Sequence, residues 1–262
     1  MTDRHMEGRE AGDTAEAGPD ETAHSPQAQD AIPVRPVAGE GAEPIAILPP
    51  DPEDPAFVDL IWRARLLHPP LEPLRDDTPV HGDHVLNPHL WPDPDFAPLR
   101  QAAVLMVLAK DEEGRLAVIL TERAAHLSAH AGQIALPGGK IEDAETPTMA
   151  ALREAEEEIA LPPDAVAPLG VSEPYVTRTG FYVIPVLGVL RRPVVLHASP
   201  DEVAAAFTAP WALVMSHAER REVEVERDGE MRRYFEVYYR DRRIWGVTAG
   251  ILKLVSERLY PE

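Results

Sequence analysis

The sequence predicts an α/β domain with a mixed sheet, and three observations lead to that prediction. The core begins at Ala102 with the apolar runs AVLMVLA and LAVILT, which are typical of strands buried on both faces. The Glu-rich segment after Thr146 has an apolar side and an acidic side at helical spacing. Further strand-like segments and a C-terminal helical segment follow, so strands and helices are mixed along the chain.

Each predicted element follows from a local signal. Asp54 and Pro55 resemble an N-cap and a first helical position, and apolar residues continue at helical spacing to about Leu67. Prolines recur over residues 69–98, so an irregular surface connection is expected there. Gly114 supplies a tight turn between the two apolar strands. The later predictions are strands near residues 167–171, 182–190, 222–226 and 234–239, a short helix near 201–207 and a last helix near 246–259.

The first 50 residues have the composition of a disordered acidic tail. They hold ten acidic and three basic side chains, with repeated Pro, Gly and Ala, and cannot bury a core. Transient helix is the alternative, but prolines interrupt every long run. The predicted organisation is a tail over residues 1–50, a helix and connection over 51–100 and one folded domain over 101–262.

Composition excludes several classes of function. The 262-residue chain has no cysteine, which excludes disulfides and thiolate chemistry. A formal charge of -20 opposes binding to nucleic acid or to an anionic membrane. No signal peptide or membrane-spanning segment is evident, so a cytoplasmic protein is expected. We expect His81, His84 and His89 to be ordinary loop histidines rather than metal ligands.

Residues 139–161, GKIEDAETPTMAALREAEEEIAL, place a glycine and several carboxylates at fixed spacing. Glu154, Glu157 and Glu158 lie three or four positions apart, so they share one helix face. A Glu-rich face is most often solvated surface. Like charges at this spacing destabilise a helix by roughly 0.2–0.5 kcal/mol per pair, however, and a divalent cation reverses that penalty. The spacing therefore favours a metal and diphosphate site.

The same stretch resembles the Nudix box, the signature of hydrolases that cleave a nucleoside diphosphate linked to another group. The family's usual glycine after the carboxylates is Ala160 here. Alanine costs about 1–2 kcal/mol if this position needs a left-handed backbone. The resemblance implies an α/β/α sandwich with a mixed sheet. The matching charged positions are Glu145, Arg153, Glu154, Glu157 and Glu158.

Residues 119–139, ILTERAAHLSAHAGQIALPGG, resemble a second motif, which marks coenzyme A pyrophosphatases within the Nudix family. Ser128 stands where the family usually has arginine, which removes a charge that could pair with a phosphate. Leu136 replaces a usual phenylalanine and preserves an apolar side chain. The matching residues are Leu120, Thr121, Arg123, Ala124, Gly132, Pro137, Gly138 and Gly139.

These resemblances imply roles for the site residues. Carboxylates suit hard cations, so Mg²⁺ or Mn²⁺ is the expected cofactor. Arg153 would orient the carboxylates, and Glu145 would tether the loop. The predicted metal ligands are Glu154, Glu157, Glu158 and the Gly139 carbonyl. The predicted substrate contacts are Arg123, Gly132, Gly138 and Gly139.

Simpler explanations stay open for some of these residues. The glycine pair Gly138 and Gly139 also fits a plain tight turn. Arg123 also fits a surface salt bridge. The general base is one of Glu154, Glu157 and Glu202, although an acidic residue at a helix start would explain Glu202 equally well.

The function implied by the resemblance is metal-dependent hydrolysis of the diphosphate bond of coenzyme A or an acyl-coenzyme A. The products are 3′,5′-ADP and a 4′-phosphopantetheine. The first alternative keeps the reaction but takes ADP-ribose, NADH or another nucleoside diphosphate conjugate. The second is a non-catalytic Nudix-fold binding module, whose usual mark is loss of box carboxylates. The expected partner is a small coenzyme A-like substrate, and the expected assembly is a monomer or a homodimer.

Overall fold

The computed structural model describes residues 43–70, 72, 74, 78–91, 99–127 and 130–261. Most of the predicted tail, residues 1–42, lies outside the described residues, as does Ser128. The end of that tail is ordered, because Ile45–Ile47 forms a strand with Val194–Leu196 and Ile47 is buried. The prediction of disorder up to residue 50 is therefore wrong for its last residues, which are ordered from Ile45.

The described chain contains both strands and helices, with several strands in succession between helices. The strands are β1 (Ile45–Ile47), β2 (His81–Gly82), β3 (Arg100–Lys110), β4 (Leu116–Arg123), β5 (Ile134–Ala135), β6 (Gly138–Lys140), β7 (Val166–Val171), β8 (Tyr175–Thr177), β9 (Phe181–Leu190), β10 (Val194–Leu196), β11 (Val203–Pro210), β12 (Arg221–Arg227), β13 (Glu230–Tyr239) and β14 (Arg242–Trp245). The helices are α1 (Pro55–Arg63), α2 (Asp83–Leu86), α3 (Pro147–Ile159), α4 (Trp211–Val214) and α5 (Val247–Leu259). Short 3-10 turns lie at Ala64–Leu66, Pro88–Leu90 and Pro163–Ala165.

The central sheet is mixed, which confirms the predicted fold class. Its main path runs β11-β4-β3-β9-β8-β2, and β5, β6 and β7 attach at its sides. Strand β3 pairs antiparallel with β4 and parallel with β9. Alternate residues of β3 enter two separate cores, Leu105 and Val107 beneath α3 and Met106 and Leu108 beneath α5. A helix on each face of one sheet is the α/β/α sandwich that the resemblance implied.

The predicted strands and the last helix listed here are confirmed, and one predicted short helix is wrong. The predicted strands near 167–171, 182–190, 222–226 and 234–239 correspond to β7, β9, β12 and β13, and the last helix corresponds to α5. The short helix near residues 201–207 is instead strand β11, which pairs antiparallel with β4. Its Ala-rich sequence favours a helix locally, but the exposed edge of β4 offers backbone hydrogen bonds that override that preference.

The connection over residues 78–91 covers an open sheet edge that the sequence did not reveal. Strand β14 pairs with β13 only over Glu236–Tyr239, so residues 231–235 of β13 extend past it. The buried side chain of Asn87 accepts a hydrogen bond from the Arg233 N–H at 2.7 Å and donates one to the Arg233 carbonyl at 3.0 Å. His89 Nε2 donates to the Met231 carbonyl at 2.8 Å. Two side chains thus replace a neighbouring strand along this edge.

None of the helices within the described residues is long and apolar enough to cross a bilayer.

Both ends of α3 follow from local sequence. The Thr146 side chain accepts a hydrogen bond from the Met149 N–H at 3.2 Å, and Pro147 occupies the first turn, as predicted. Ala160 ends the helix in the left-handed conformation, with φ 53° and ψ 35°. Its N–H still donates to the Glu156 carbonyl at 2.9 Å. The helix therefore ends on a residue type that pays a steric penalty at this position.

We expect Ala160→Gly to stabilise the protein by about 1 kcal/mol, because glycine removes the left-handed strain and loses part of that gain to unfolded-state entropy. Thermal unfolding should show a melting temperature higher by about 2–4 °C. Ala160→Val is the control and should lower it, since a branched Cβ worsens the same clash. A melting temperature that Ala160→Gly leaves unchanged or lowers would contradict the strain.

Candidate active site

The glycine pair at β6 brings backbone close to two neighbours. Gly138 has φ +153°, and a Cβ there would strike the Ala103 carbonyl and lie 2.6 Å from the Val104 Cα. A Cβ on Gly139 would collide with the Glu154 carboxylate. Gly138 is thus required by its approach to backbone, whereas a side chain at Gly139 would displace the Glu154 carboxylate. A tight turn alone therefore does not account for Gly139, because this residue directly faces Glu154, a candidate metal ligand.

Helix α3 presents its carboxylates to this loop. Ala155 and Ile159 of the predicted apolar side are fully buried against the sheet, as is Ala151, whereas Leu152, predicted for the same side, is only partly buried. Glu157 lies largely in solvent, with 60% of its side chain exposed, whereas Glu158 is only 4% exposed. The predicted acidic face therefore runs from solvent into the protein interior.

Glu158 is the most strongly perturbed carboxyl of the described residues. Burial raises the pKa of Glu158 to about 8, and the negative charge of Glu154 adds to the rise. The Gly138 N–H, which donates a hydrogen bond to the Glu158 carboxylate at 3.2 Å, opposes the rise. Arg123 lowers this pKa and Glu202 raises it by their charges. A buried carboxyl facing other carboxyls is protonated at pH 7 without a cation, and a cation would replace that proton.

Arg153 ties the acidic cluster together. Its guanidinium donates to both oxygens of Glu145, at 2.8 and 3.0 Å, in a bidentate pair. It also donates to Glu154 at 3.0 Å, to Glu157 at 3.2 Å and to the Lys140 carbonyl at 3.0 Å. The pairing raises the pKa of Arg153 and lowers that of Glu145. Burial raises the pKa of Glu154 despite the Arg153 contact.

Arg123 and Gly132 lie on the strand and loop that border the cluster. Arg123 ends β4, and its buried Nε has no hydrogen-bond partner among the described residues. Gly132 has φ +69° with open space around its missing Cβ, and its N–H donates to the Arg123 carbonyl at 3.0 Å. Gly132 therefore shapes the turn that holds Arg123 and makes no close approach of its own.

Glu202 joins the site through a strand rather than a helix. It directly precedes β11, whose Val203 pairs with Arg123, and the Glu202 carbonyl accepts the Ala124 N–H at 2.9 Å. Its charge raises the pKa of both Glu154 and Glu158. The helix-dipole explanation of Glu202 is therefore wrong. Only the pairing of β11 with β4 brings this carboxylate to the cluster, and no local sequence signal reveals that pairing.

The described side chains do not converge on a ready-made metal site. No group of three His, Asp or Glu residues within the described ranges is placed to hold a cation. The reason is visible in the hydrogen bonds, because Arg153 holds Glu154 and Glu157 while the Gly138 N–H holds Glu158. The possible metal ligands are nevertheless carboxylate and carbonyl oxygens, which suit hard cations. The absence of a Cβ at Gly139 also leaves space for the Glu154 carboxylate beside the loop. The residues present fit a divalent cation after side-chain rotation.

The loop histidines have other contacts. His89 bonds to the Met231 carbonyl, and the His84 ring lies 5.9 Å from the Trp91 ring. Together with His81 they form no metal-binding group within the described residues.

Comparisons with known proteins identify the domain. The family model described as "NUDIX domain" matches residues 99–230, about half of the chain. Two similar curated proteins are each named "Uncharacterized Nudix hydrolase NudL". The one from Escherichia fergusonii is 41% identical and the one from Cronobacter sakazakii 43%, each over 155 residues, 59% of this chain and 80% of the relative.

Solved structures of Nudix proteins are also similar, at low TM-scores. A Nudix hydrolase from M. smegmatis, RenU, has a TM-score of 0.37 and 27% identity, over 44% of this chain and 73% of that chain. A C. elegans Ap4A hydrolase in a binary complex has a TM-score of 0.37 and 21% identity, over 42% and 80%.

We expect Gly139→Ala to weaken Mn²⁺ binding by about 10- to 100-fold, because its Cβ displaces the Glu154 carboxylate. Calorimetric titration with Mn²⁺ measures the effect. Gly114→Ala is the control for an added Cβ away from the site, since Gly114 lies in a distant turn with open space around its Cβ position; its φ of +79° strains the backbone, which Gly139 does not share. Equal Mn²⁺ affinity in the two variants would exclude Glu154 as a ligand held by this close approach.

Proposed function

This chain belongs to the Nudix hydrolase family, and on that basis we propose that it hydrolyses the diphosphate bond of coenzyme A or an acyl-coenzyme A. The products would be 3′,5′-ADP and the corresponding 4′-phosphopantetheine. The observation that carries the proposal is the cluster of Glu154, Glu157 and Glu158 beside the Gly138–Gly139 backbone, with Arg123 bordering it.

The proposed ligands for Mg²⁺ or Mn²⁺ are Glu154, Glu157, Glu158 and the Gly139 carbonyl. A bound divalent cation would neutralise the phosphate oxygens and make water easier to deprotonate. Glu158 would lose its proton on binding, because a positive charge then compensates its burial. Arg153, fixed by the bidentate Glu145 pair, would keep the neighbouring carboxylates in reach while they rotate.

The reaction itself needs an acceptor for one proton. Water adds to phosphorus, the bridging phosphorus–oxygen bond breaks, the leaving phosphate keeps the bridging oxygen, and the water proton passes to a carboxylate. Glu157 and Glu154 are candidates, and Glu202 is a third that needs no role as a ligand. Its exposure and its electrostatic influence on Glu154 support Glu202 as an acceptor at the solvent side of the cluster.

Arg123 is the proposed phosphate contact. Its Nε is buried without a hydrogen-bond partner among the described residues, so an anion could satisfy it. The formal charge of -20 repels a polyanionic substrate at long range, so local cations must offset that field at the site. Arg123 and the bound cation would supply this positive charge together.

The choice of coenzyme A rests on the motif in residues 119–139. Leu136, the replacement for phenylalanine, is 4% exposed and lies in the core beneath α5, so the apolar role of that position is kept. The motif's second arginine is replaced by Ser128, which would weaken one phosphate contact. ADP-ribose and NADH carry the same diphosphate and are the competing substrates.

Glu157→Gln should reduce turnover by several orders of magnitude without unfolding the protein, because it removes a ligand charge from a solvent-exposed helix position. Turnover is measured against Mg²⁺ concentration. Glu156→Gln is the matched control on the adjacent exposed position and should keep wild-type turnover. A Glu157→Gln enzyme that is fully active at saturating Mg²⁺ would refute the ligand assignment.

Glu202→Gln separates the proton acceptor from the ligands. If Glu202 accepts the proton, turnover falls about 10²- to 10⁴-fold while the Mg²⁺ dependence stays as in the wild type. If turnover is unchanged, the acceptor is Glu154 or Glu157.

A substrate panel tests the coenzyme A assignment. We expect coenzyme A to be hydrolysed with a higher kcat/KM than dephospho-coenzyme A, ADP-ribose or NADH. The products are identified by mass spectrometry, and 3′,5′-ADP marks cleavage at the diphosphate. Faster hydrolysis of ADP-ribose would reassign the substrate but would leave the metal chemistry intact.

A further inference from the structure

Helix α1 is apolar on two sides. Leu60 is fully buried and Ala64 nearly so, on the side that packs against the domain core. On the other side Val58, Trp62 and Leu66 are 42%, 61% and 43% exposed. These three residues recur every four positions along the helix and the 3-10 turn after it, so they form one stripe, which we call the Trp62 stripe.

Such a stripe differs from scattered surface apolar residues. Single exposed apolar residues are normal, whereas contiguous ones rimmed by polar groups mark interaction sites. The Arg65 guanidinium lies 4.0 Å from the centre of the Trp62 ring. Tryptophan and arginine are the residue types most enriched among the energetically dominant contacts of protein interfaces. The Trp62 stripe therefore has the composition of a docking surface.

The charges at the ends of α1 are complementary to each other. Asp51, Glu53 and Asp54 lie at its N-terminal end, where Glu53 is exposed. Arg63 and Arg65 lie at its C-terminal end, and Arg65 is exposed. Two such helices packed antiparallel bring each acidic end toward the basic end of the other, and a parallel pair brings like charges together. The surface is thus self-complementary in one orientation only.

We propose that the Trp62 stripe docks a second copy of this chain, with the two α1 helices antiparallel across a two-fold axis near Trp62. Val58 of each copy then lies toward Leu66 of the other, and the ends of the helices pair by charge. One helix face is smaller than the roughly 800 Å² per partner of a stable interface, so the dissociation constant should be micromolar. Helix α1 lies outside residues 99–230, which match the family model.

Sedimentation velocity of the full chain over about 1–500 μM, on the order of the expected dissociation constant, tests the proposal. The wild type should pass from monomer to dimer. Trp62→Glu should raise the dissociation constant at least about tenfold. Val85→Glu is the matched control, because Val85 is 62% exposed on α2, outside the stripe, and it should dimerise like the wild type. Equal weakening by both variants would refute the stripe as the interface.

Charge reversal tests the antiparallel orientation. Glu53→Arg and Arg65→Glu should each weaken association, and the double variant should restore it because each end again meets its opposite. A double variant weaker than either single variant would refute the orientation. A wild type that stays monomeric throughout the range would refute the second copy as occupant, and a shielded Trp62 in that monomer would assign the stripe to residues 1–42 of the same chain. None of these results depends on which substrate is cleaved.

Discussion

The close approach of the Gly138–Gly139 backbone to helix α3 is the constraint on which the site depends. Strand β6 is held by pairing with β3, and α3 is held by the burial of Ala151, Ala155 and Ile159, so neither side can withdraw. A side chain at Gly139 would occupy the volume of the Glu154 carboxylate. The same approach aims the Gly138 N–H at Glu158, the single backbone donor that offsets part of the desolvation of that carboxyl. The loop thus moderates the rise in the Glu158 pKa, which burial causes.

Arg153 explains how three acidic side chains, Glu145, Glu154 and Glu157, can share such a small volume. Its five N–H donors form a planar fork, and contacts to Glu145, Glu154 and Glu157 use both edges of it. Glu145 is the permanent partner, because both of its oxygens are engaged, whereas Glu154 and Glu157 each receive one bond. Exchange of those two single bonds for a cation costs less than breaking the bidentate pair. A lysine could not make the bidentate bond to Glu145 and the single bonds to Glu154 and Glu157 at the same time. This arrangement therefore depends on the geometry of arginine as well as on its charge.

The sequence predicted the parts of this protein that depend on local pattern. The capped helix α3, the buried hairpin of β3 and β4 and the final helix have strong periodicity and clear end signals, and they appear as expected. Strand β11 and strand β1 were missed because their pairing partners are distant in sequence and their own composition is ambiguous. The site divides in the same way. Spacing alone grouped Glu154, Glu157 and Glu158, whereas Glu202 reaches them only through long-range pairing of strands.

The segments before residue 99 also shape the catalytic domain from outside its family-matched part. Asn87 and His89 satisfy the open edge of β13, and the Asp83 carboxylate accepts hydrogen bonds from the Tyr175 hydroxyl and the Arg178 N–H, both at 2.8 Å. Arg63 of α1 donates to the Leu259 carbonyl at the end of α5. The Arg63 contact, together with a hydrogen bond from the Arg258 guanidinium of α5 to the Leu66 carbonyl at 2.7 Å, holds α1 against α5. A helix held in this way is already ordered, so docking costs little backbone entropy and mainly the immobilisation of side chains such as Trp62, and a small interface can bind weakly.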